Sequence, residues 1–185
     1  MKNRTSLYNL TIIILATLAF AINVKAQDIP KPEFTRKPYI LEGGTLKDFE
    51  AVTPTVDGKV KGLGYGGYES FYVAPGISSP VKFSTAAGSK IVVLMDDNTD
   101  PSELFVLMKV SEVKKESRRF LALKTGFNSS SKMKDSKITL SAKKIQERYY
   151  ELVPQTLILL PGEYAIMGTG IAASPTSKLF CFGAN

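Results

Sequence analysis

The residues with the strongest claim to chemistry are a run of acids and amides, Asp96-Asp97-Asn98-Thr99-Asp100, with Glu103 just beyond. Asp96, Asn98 and Asp100 alternate as the first oxygen ligands of a calcium loop do, and hard oxygen donors at that spacing can surround one ion. The rest of that pattern is missing. Pro101 stands where the turning glycine belongs, and Leu107 stands where the bidentate glutamate belongs. A calcium site would need a non-standard loop, and the simpler reading is an acidic turn. Asp96, Asp97, Asp100 and Glu103 are also the clustered carboxylates a hydrolase would draw on, provided two of them face each other about 5 to 10 Å apart in a cleft.

Other chemistries are closed off by composition. The chain has no histidine, which excludes Ser-His-Asp and Cys-His catalysis and every histidine-ligated metal site. Its single cysteine, Cys181, lies in the apolar run Lys178-Leu-Phe-Cys-Phe-Gly183. That context reads as a buried small hydrophobe, and no intramolecular disulfide is possible. Gly62-Leu-Gly-Tyr-Gly-Gly67 has the spacing of a dinucleotide-binding loop. Such a loop works only between a strand and a helix, and the adjoining Tyr68-Glu-Ser-Phe-Tyr-Val73 has strand composition. The sequence therefore implies no cofactor. Tyr65, Tyr68 and Tyr72, beside that loop, could form an aromatic platform for a glycan, or could simply pack a strand.

Charge is distributed unevenly. The whole chain carries a formal net +7, but Lys109 to Arg148 alone holds twelve basic and four acidic residues, a net +8. Lys114, Lys115, Arg118, Arg119, Lys143 and Lys144 are the candidate patch for an anionic partner, and the simpler reading is the solvated face of two hairpins. Few aromatic residues are interleaved with these charges, which argues against nucleic acid.

The elements that must position these residues are strands. Leu104-Phe-Val-Leu-Met108 is apolar without a break, as in a strand buried on both faces, and with Arg118 to Thr125 it suggests a central hairpin with a basic rim. Asp57-Gly58 and Pro161-Gly162 read as hairpin turns. Ser79 to Ser84, Lys90 to Met95, Lys137 to Lys143 and Lys178 to Gly183 are further strands. Lys143 to Leu152 fits either an amphipathic helix or two strands with a turn, and two strands are preferred for the composition of Tyr149 to Val153. The sum is about a dozen short strands and little helix, an all-β antiparallel sandwich.

The chain begins with Lys2 and Arg4, then an apolar run of 15 residues, Leu10 to Val24, and then Val24-Lys25-Ala26. These are the parts of a secretory signal peptide cleaved after Ala26, and the run is shorter than the ~20 residues of a membrane span. The expected organisation is a signal peptide at 1–26, an extended proline-containing leader at 27–37 and one domain at 38–185. The expected destination is the periplasm, the cell surface or the medium.

Leu160-Pro-Gly-Glu-Tyr-Ala165 resembles the strand-turn-strand corner of transthyretin-like and collagen-adhesin B-type sandwich domains. With Phe180-Cys-Phe-Gly183, it also resembles small exported β-sandwich proteins of the Bacteroidota. The resemblance implies an immunoglobulin-like or transthyretin-like sandwich and supplies no catalytic residues. The functional expectation is a non-enzymatic exported module that binds or helps to assemble something, an envelope protein, a glycan or an anionic surface. A glycan-binding module is the first alternative and a carboxylate hydrolase the second.

Overall fold

The computed structural model describes residues 29–61, 67–126, 135–156, 159–169 and 178–185. The proposed signal peptide, Tyr65 and most of the glycine loop lie outside them.

The chain is all-β. Among the described residues fifteen strands carry the fold, with a four-residue helix, α1 (Pro101–Leu104). The strands form three sheets. The first sheet holds β1 (Pro38–Glu42), β2 (Thr45–Asp48), β7 (Lys90–Leu94), β12 (Leu140–Gln146) and β13 (Tyr149–Pro154), in the order β12-β13-β7-β1-β2. The central sheet runs β11 (Lys137–Ile138), β8 (Phe105–Lys109), β14 (Gly162–Gly168), β15 (Leu179–Ala184), β3 (Glu50–Val52). Short β6 (Lys82–Phe83) joins it parallel to β15. The third sheet runs β4 (Thr55–Val60), β5 (Tyr68–Pro75), β10 (Ser117–Lys124), β9 (Glu112–Lys114). Apart from β6, every strand pairing is antiparallel.

The sheets are stacked, and pleating explains the stack. Alternate residues of the central sheet point to opposite faces. Phe105, Leu107, Tyr164, Ile166 and Phe182 face the first sheet and pack with its Ile40, Ile91, Val93, Leu140 and Leu152. Met108, Ala165, Met167, Leu179 and Cys181 face the third sheet and pack with Ala74 and Phe120. Both faces are covered, which is why Phe105 to Met108 reads as an uninterrupted apolar run. The expected sandwich is thus present and carries a third sheet, beyond the two of an immunoglobulin-like domain.

Several local expectations change. The hairpin expected over Glu103 to Thr125 is divided: β8 belongs to the central sheet, while β9 and β10 form the hairpin of the third. Its turn is Lys115-Glu116, both at positive φ (49° and 55°), a two-residue reversal without the usual glycine or asparagine. Asp57-Gly58 does not turn. Both residues lie inside β4 and pair with Phe71 and Ser70. The ring of Tyr68 lies across Gly58, where a β-carbon would strike it. An aromatic side chain covering a glycine on an edge strand compensates its missing packing surface. Pro161-Gly162 is likewise no hairpin turn, since β14 pairs with β15 and β8. It is a corner held by the Tyr164 hydroxyl, which donates to the Leu160 carbonyl at 2.7 Å. Lys143 to Leu152 does form two strands, β12 and β13.

The segment 29–37 is docked rather than free. Ile29 packs on the outer face of the first sheet with Tyr39, Val92, Leu94 and Tyr149. The Tyr149 hydroxyl donates to the Pro30 carbonyl, and the Arg36 amide donates to the Leu94 carbonyl.

Candidate functional site

Two adjacent arginines on β10 show how the third sheet is built. Pleating sends their side chains to opposite faces. Arg118 points at the central sheet and is fully buried. Its Nη1 and Nη2 each donate to a Glu50 carboxylate oxygen at 2.9 Å, Nη2 also reaches the Pro75 carbonyl at 2.8 Å, and Nη1 lies 3.4 Å from Glu163. Glu163 in turn accepts from the Ser79 amide at 2.7 Å. A planar guanidinium matches a carboxylate in this two-pronged geometry. Glu50 and Glu163 belong to the central sheet, so Arg118 is an ionic bolt between layers. Cys181 lies in the same interface, and burial pushes its thiol pKa up to about 12, far from the range of a reactive cysteine.

Arg119 points outward. It lies over the Phe71 ring at 4.6 Å, near enough for a cation–π contact, and pairs with Asp57 and Glu112. It holds the Asp57 carboxyl below its ordinary range. On the same face, Glu69 is bonded by Lys61 at 2.8 Å and by Lys124 at 3.2 Å. Lys61 chiefly, then Lys124, depress its pKa against the opposing effect of burial. Beside this lattice lies a cleft of about 340 Å³, lined by Lys59, Lys61, Phe71, Lys109, Glu112 and Leu121 among others.

The third sheet also extends past its support. All six residues of β4 are exposed. Val56 is 67 % exposed and Val60 66 %, joined by Tyr68 at 38 % and Leu123 at 47 %. Val56, Gly58 and Val60 pair with Tyr72, Ser70 and Tyr68, and Leu123 also pairs with Ser70, so these apolar residues share one face. At the other end of that face, Tyr72, Ala74 and Phe120 are packed against the central sheet. No strand covers the outer edge of β4 among the described residues.

The residues singled out from sequence fall as described next to their partners. Asp96 and Asp97 both accept from Arg36, at 2.7 and 2.8 Å. Asp97 also receives the Thr99 amide, the principal cause of its lowered pKa. Asp100 caps α1 through the Ser102 amide and hydroxyl. Asp96, Asp97 and Asp100 are thus each engaged by groups of the chain itself, and no cluster of three His, Cys, Asp or Glu side chains fit to hold a metal ion occurs among the described residues. The anionic-partner patch divides. Arg118 and Arg119 are buried, a correction forced by their carboxylate partners. Lys114 and Lys115 sit exposed at the tip of the third sheet, while Lys143 and Lys144 lie exposed on β12, the edge of the first. The central sheet stands between the two pairs. Of the proposed tyrosine platform, Tyr65 is outside the described residues, Tyr68 is exposed and Tyr72 is half-buried against the interlayer core.

Sequence reading missed the β4 edge because Asp57-Gly58 looked like a turn. The available signal was the alternation Val56, Gly58, Val60 against Asp57, Lys59, Lys61, which continues through the supposed turn. Comparison with protein-family models, with curated proteins and with solved structures gives no match. Among the described residues, no helix is long and apolar enough to cross a membrane.

Proposed function

We propose that the chain is an exported, non-catalytic module that joins an assembly by accepting a partner strand along β4. One observation carries this reading: a six-residue edge strand, exposed throughout, that presents two valines and an open backbone edge. Such edges are normally blunted, because unpaired N–H and C=O groups template further pairing. Backbone bonds supply affinity in strand addition, and the side chains of alternate residues supply specificity. The exposed face of Tyr68 and Leu123 continues the valine stripe, extending the surface a partner would cover. Export rests on the basic start, the apolar run Leu10 to Val24 and the Val24-Lys25-Ala26 junction.

Amide hydrogen exchange tests the docking edge. In dilute purified protein, the amides of Val56, Gly58 and Val60 should exchange fast. In the envelope fraction of the exporting cell they should be protected, and Val56→Pro should abolish retention there. Equal exchange in both settings would end this reading.

A further inference from the structure

The partner that β4 fits best is β4 of a second copy, and the fit follows from hydrogen-bond direction and charge. This inference rests on the strand-docking role proposed above and names its occupant.

The Lys61 amide donates to the Gly67 carbonyl, across the β4–β5 pairing. In a strand, successive residues turn their backbone groups to opposite sides. Lys59, Asp57 and Thr55 therefore bond inward to β5. Val56, Gly58 and Val60 direct their N–H and C=O groups out of the sheet. The Tyr68 carbonyl accepts from the Thr125 amide. Tyr68 thus bonds away from its β4 partner Val60, as the same parity requires.

A two-fold antiparallel pairing of β4 with itself must match outward residues to outward residues. That leaves three central registers, with the axis at Asp57, at Gly58 or at Lys59. The first sets Asp57 against Asp57 of the other copy, and the third sets Lys59 against Lys59. Like charges directly opposite are destabilising. The axis at Gly58 sets Asp57 opposite Lys59 twice over, and Val56 opposite Val60 twice over. Opposite charges then share one face and valines the other. Gly58 brings no side chain of its own to the axis, and the Tyr68 ring that crosses it lies on the valine face. Asp57 uses one carboxylate oxygen for Arg119 and is half-exposed, and Lys59 is exposed.

We infer that the protein self-associates as a two-fold dimer through antiparallel β4–β4 pairing centred on Gly58, joining two four-stranded sheets into one of eight. Such an interface is isologous, and its self-complementarity lies in the sequence Val56-Asp-Gly-Lys-Val60 itself.

The test uses the chain as processed by an exporting host, in sedimentation experiments from low micromolar to near-millimolar concentration. Wild type should show a concentration-dependent dimer. Lys59→Asp should weaken it by about tenfold or more through two like-charge pairs. The exchanged variant, Asp57→Lys with Lys59→Asp, should restore it. Because these substitutions also touch Glu69 and Arg119, a second measurement reads the register by distance instead of charge. Chains carrying Asp57→Cys and Lys59→Cys, mixed and oxidised, should give a disulfide-linked heterodimer, since a non-hydrogen-bonded pair separates Cα atoms by about 4.5 Å. Either chain alone should not, its diagonal separation being about 7–8 Å. A dimer that ignores the charge reversal and does not cross-link overturns the inference. So does a wild type that stays monomeric throughout. If that monomer still shows protected β4 amides in the envelope fraction, strand docking survives with a foreign partner. If its β4 amides are open there too, both ideas fall.

Discussion

The first and third sheets cover opposite faces of the same central sheet, and they adhere by different means. Toward the first sheet, the central layer presents large side chains: Phe105, Leu107, Tyr164, Ile166 and Phe182. Phe182 alone meets Phe49, Phe83 and Tyr164 at ring-centroid distances of 5.3, 5.4 and 5.6 Å. Toward the third sheet it presents smaller or flexible ones, Ala165, Cys181, Met108 and Met167, and the contact is bolted by buried Arg118. An apolar interface gains by area and favours full coverage. A bolted one fixes position over a small footprint. The third sheet can therefore be held accurately while the β4 side stays open to a partner.

Substitution should expose this contrast. Phe182→Ala should cost about 3–5 kcal/mol in chemical denaturation, the range for deleting a buried aromatic ring. Arg118→Ala should cost about 3 kcal/mol by leaving Glu50, beside Glu163, without its buried cation. Arg119→Ala should cost about 1 kcal/mol or less, because its partners Asp57 and Glu112 remain near water. Equal losses for the two arginines would mean that the third sheet is not bolted at Arg118.

Cys181 reports on the same interface. Its thiol is buried between the central and third sheets, with its pKa raised to about 12, so alkylation at neutral pH requires opening. Arg118→Ala should accelerate labelling by about tenfold or more under conditions where global unfolding is not detected, as local opening of one layer would. Labelling that tracks global unfolding in every variant would show that the three sheets open as one unit.

Acid should act on the outer face of the third sheet. Glu69 and Asp57 are both held below their ordinary values, by Lys61 and Lys124 and by Arg119. A carboxylate depressed in the folded state contributes stability above its unfolded pKa and loses it as pH falls through the folded one. The loss therefore sets in below about pH 4. Glu69→Gln should flatten the acid limb of a stability–pH curve by less than about 1 kcal/mol. A comparably small effect is a gain: Glu116→Gly, at φ 55°, should stabilise the β9–β10 hairpin by about 0.5–1 kcal/mol, measured as a raised denaturation midpoint.

Legibility in the sequence followed how local the cause was. Phe105 to Met108 and Ile91 to Leu94 announced buried strands because apolar runs are a direct record of burial. Cys181 read as a buried hydrophobe from its flanking phenylalanines, and it is fully buried. Arg118 was illegible. A Lys-Lys-Glu-Ser-Arg-Arg run looks solvated, and the carboxylates that neutralise Arg118 lie 68 and 45 positions away. The third sheet was hidden for a related reason. Single strands give no sign of which sheet they join, and the chain changes sheet at Phe49, after Lys109 and at Thr139 without a glycine or proline between the strands. Of the candidate site, the alternation along β4 was visible and its edge position was not, since an edge is defined by what fails to pair.

The place of β15 in the stack constrains the order in which the layers can form. The central sheet receives β14 and β15 only from the far end of the described chain, yet β15 pairs with β14, β3 and β6 and fills both interlayer cores. During synthesis from the amino end, β3 has no strand partner in its sheet until β15 emerges. The β4–β5 hairpin can close early, because its partners are near in sequence. The stack cannot. With this topology neither interlayer core can be completed before β15 is in place.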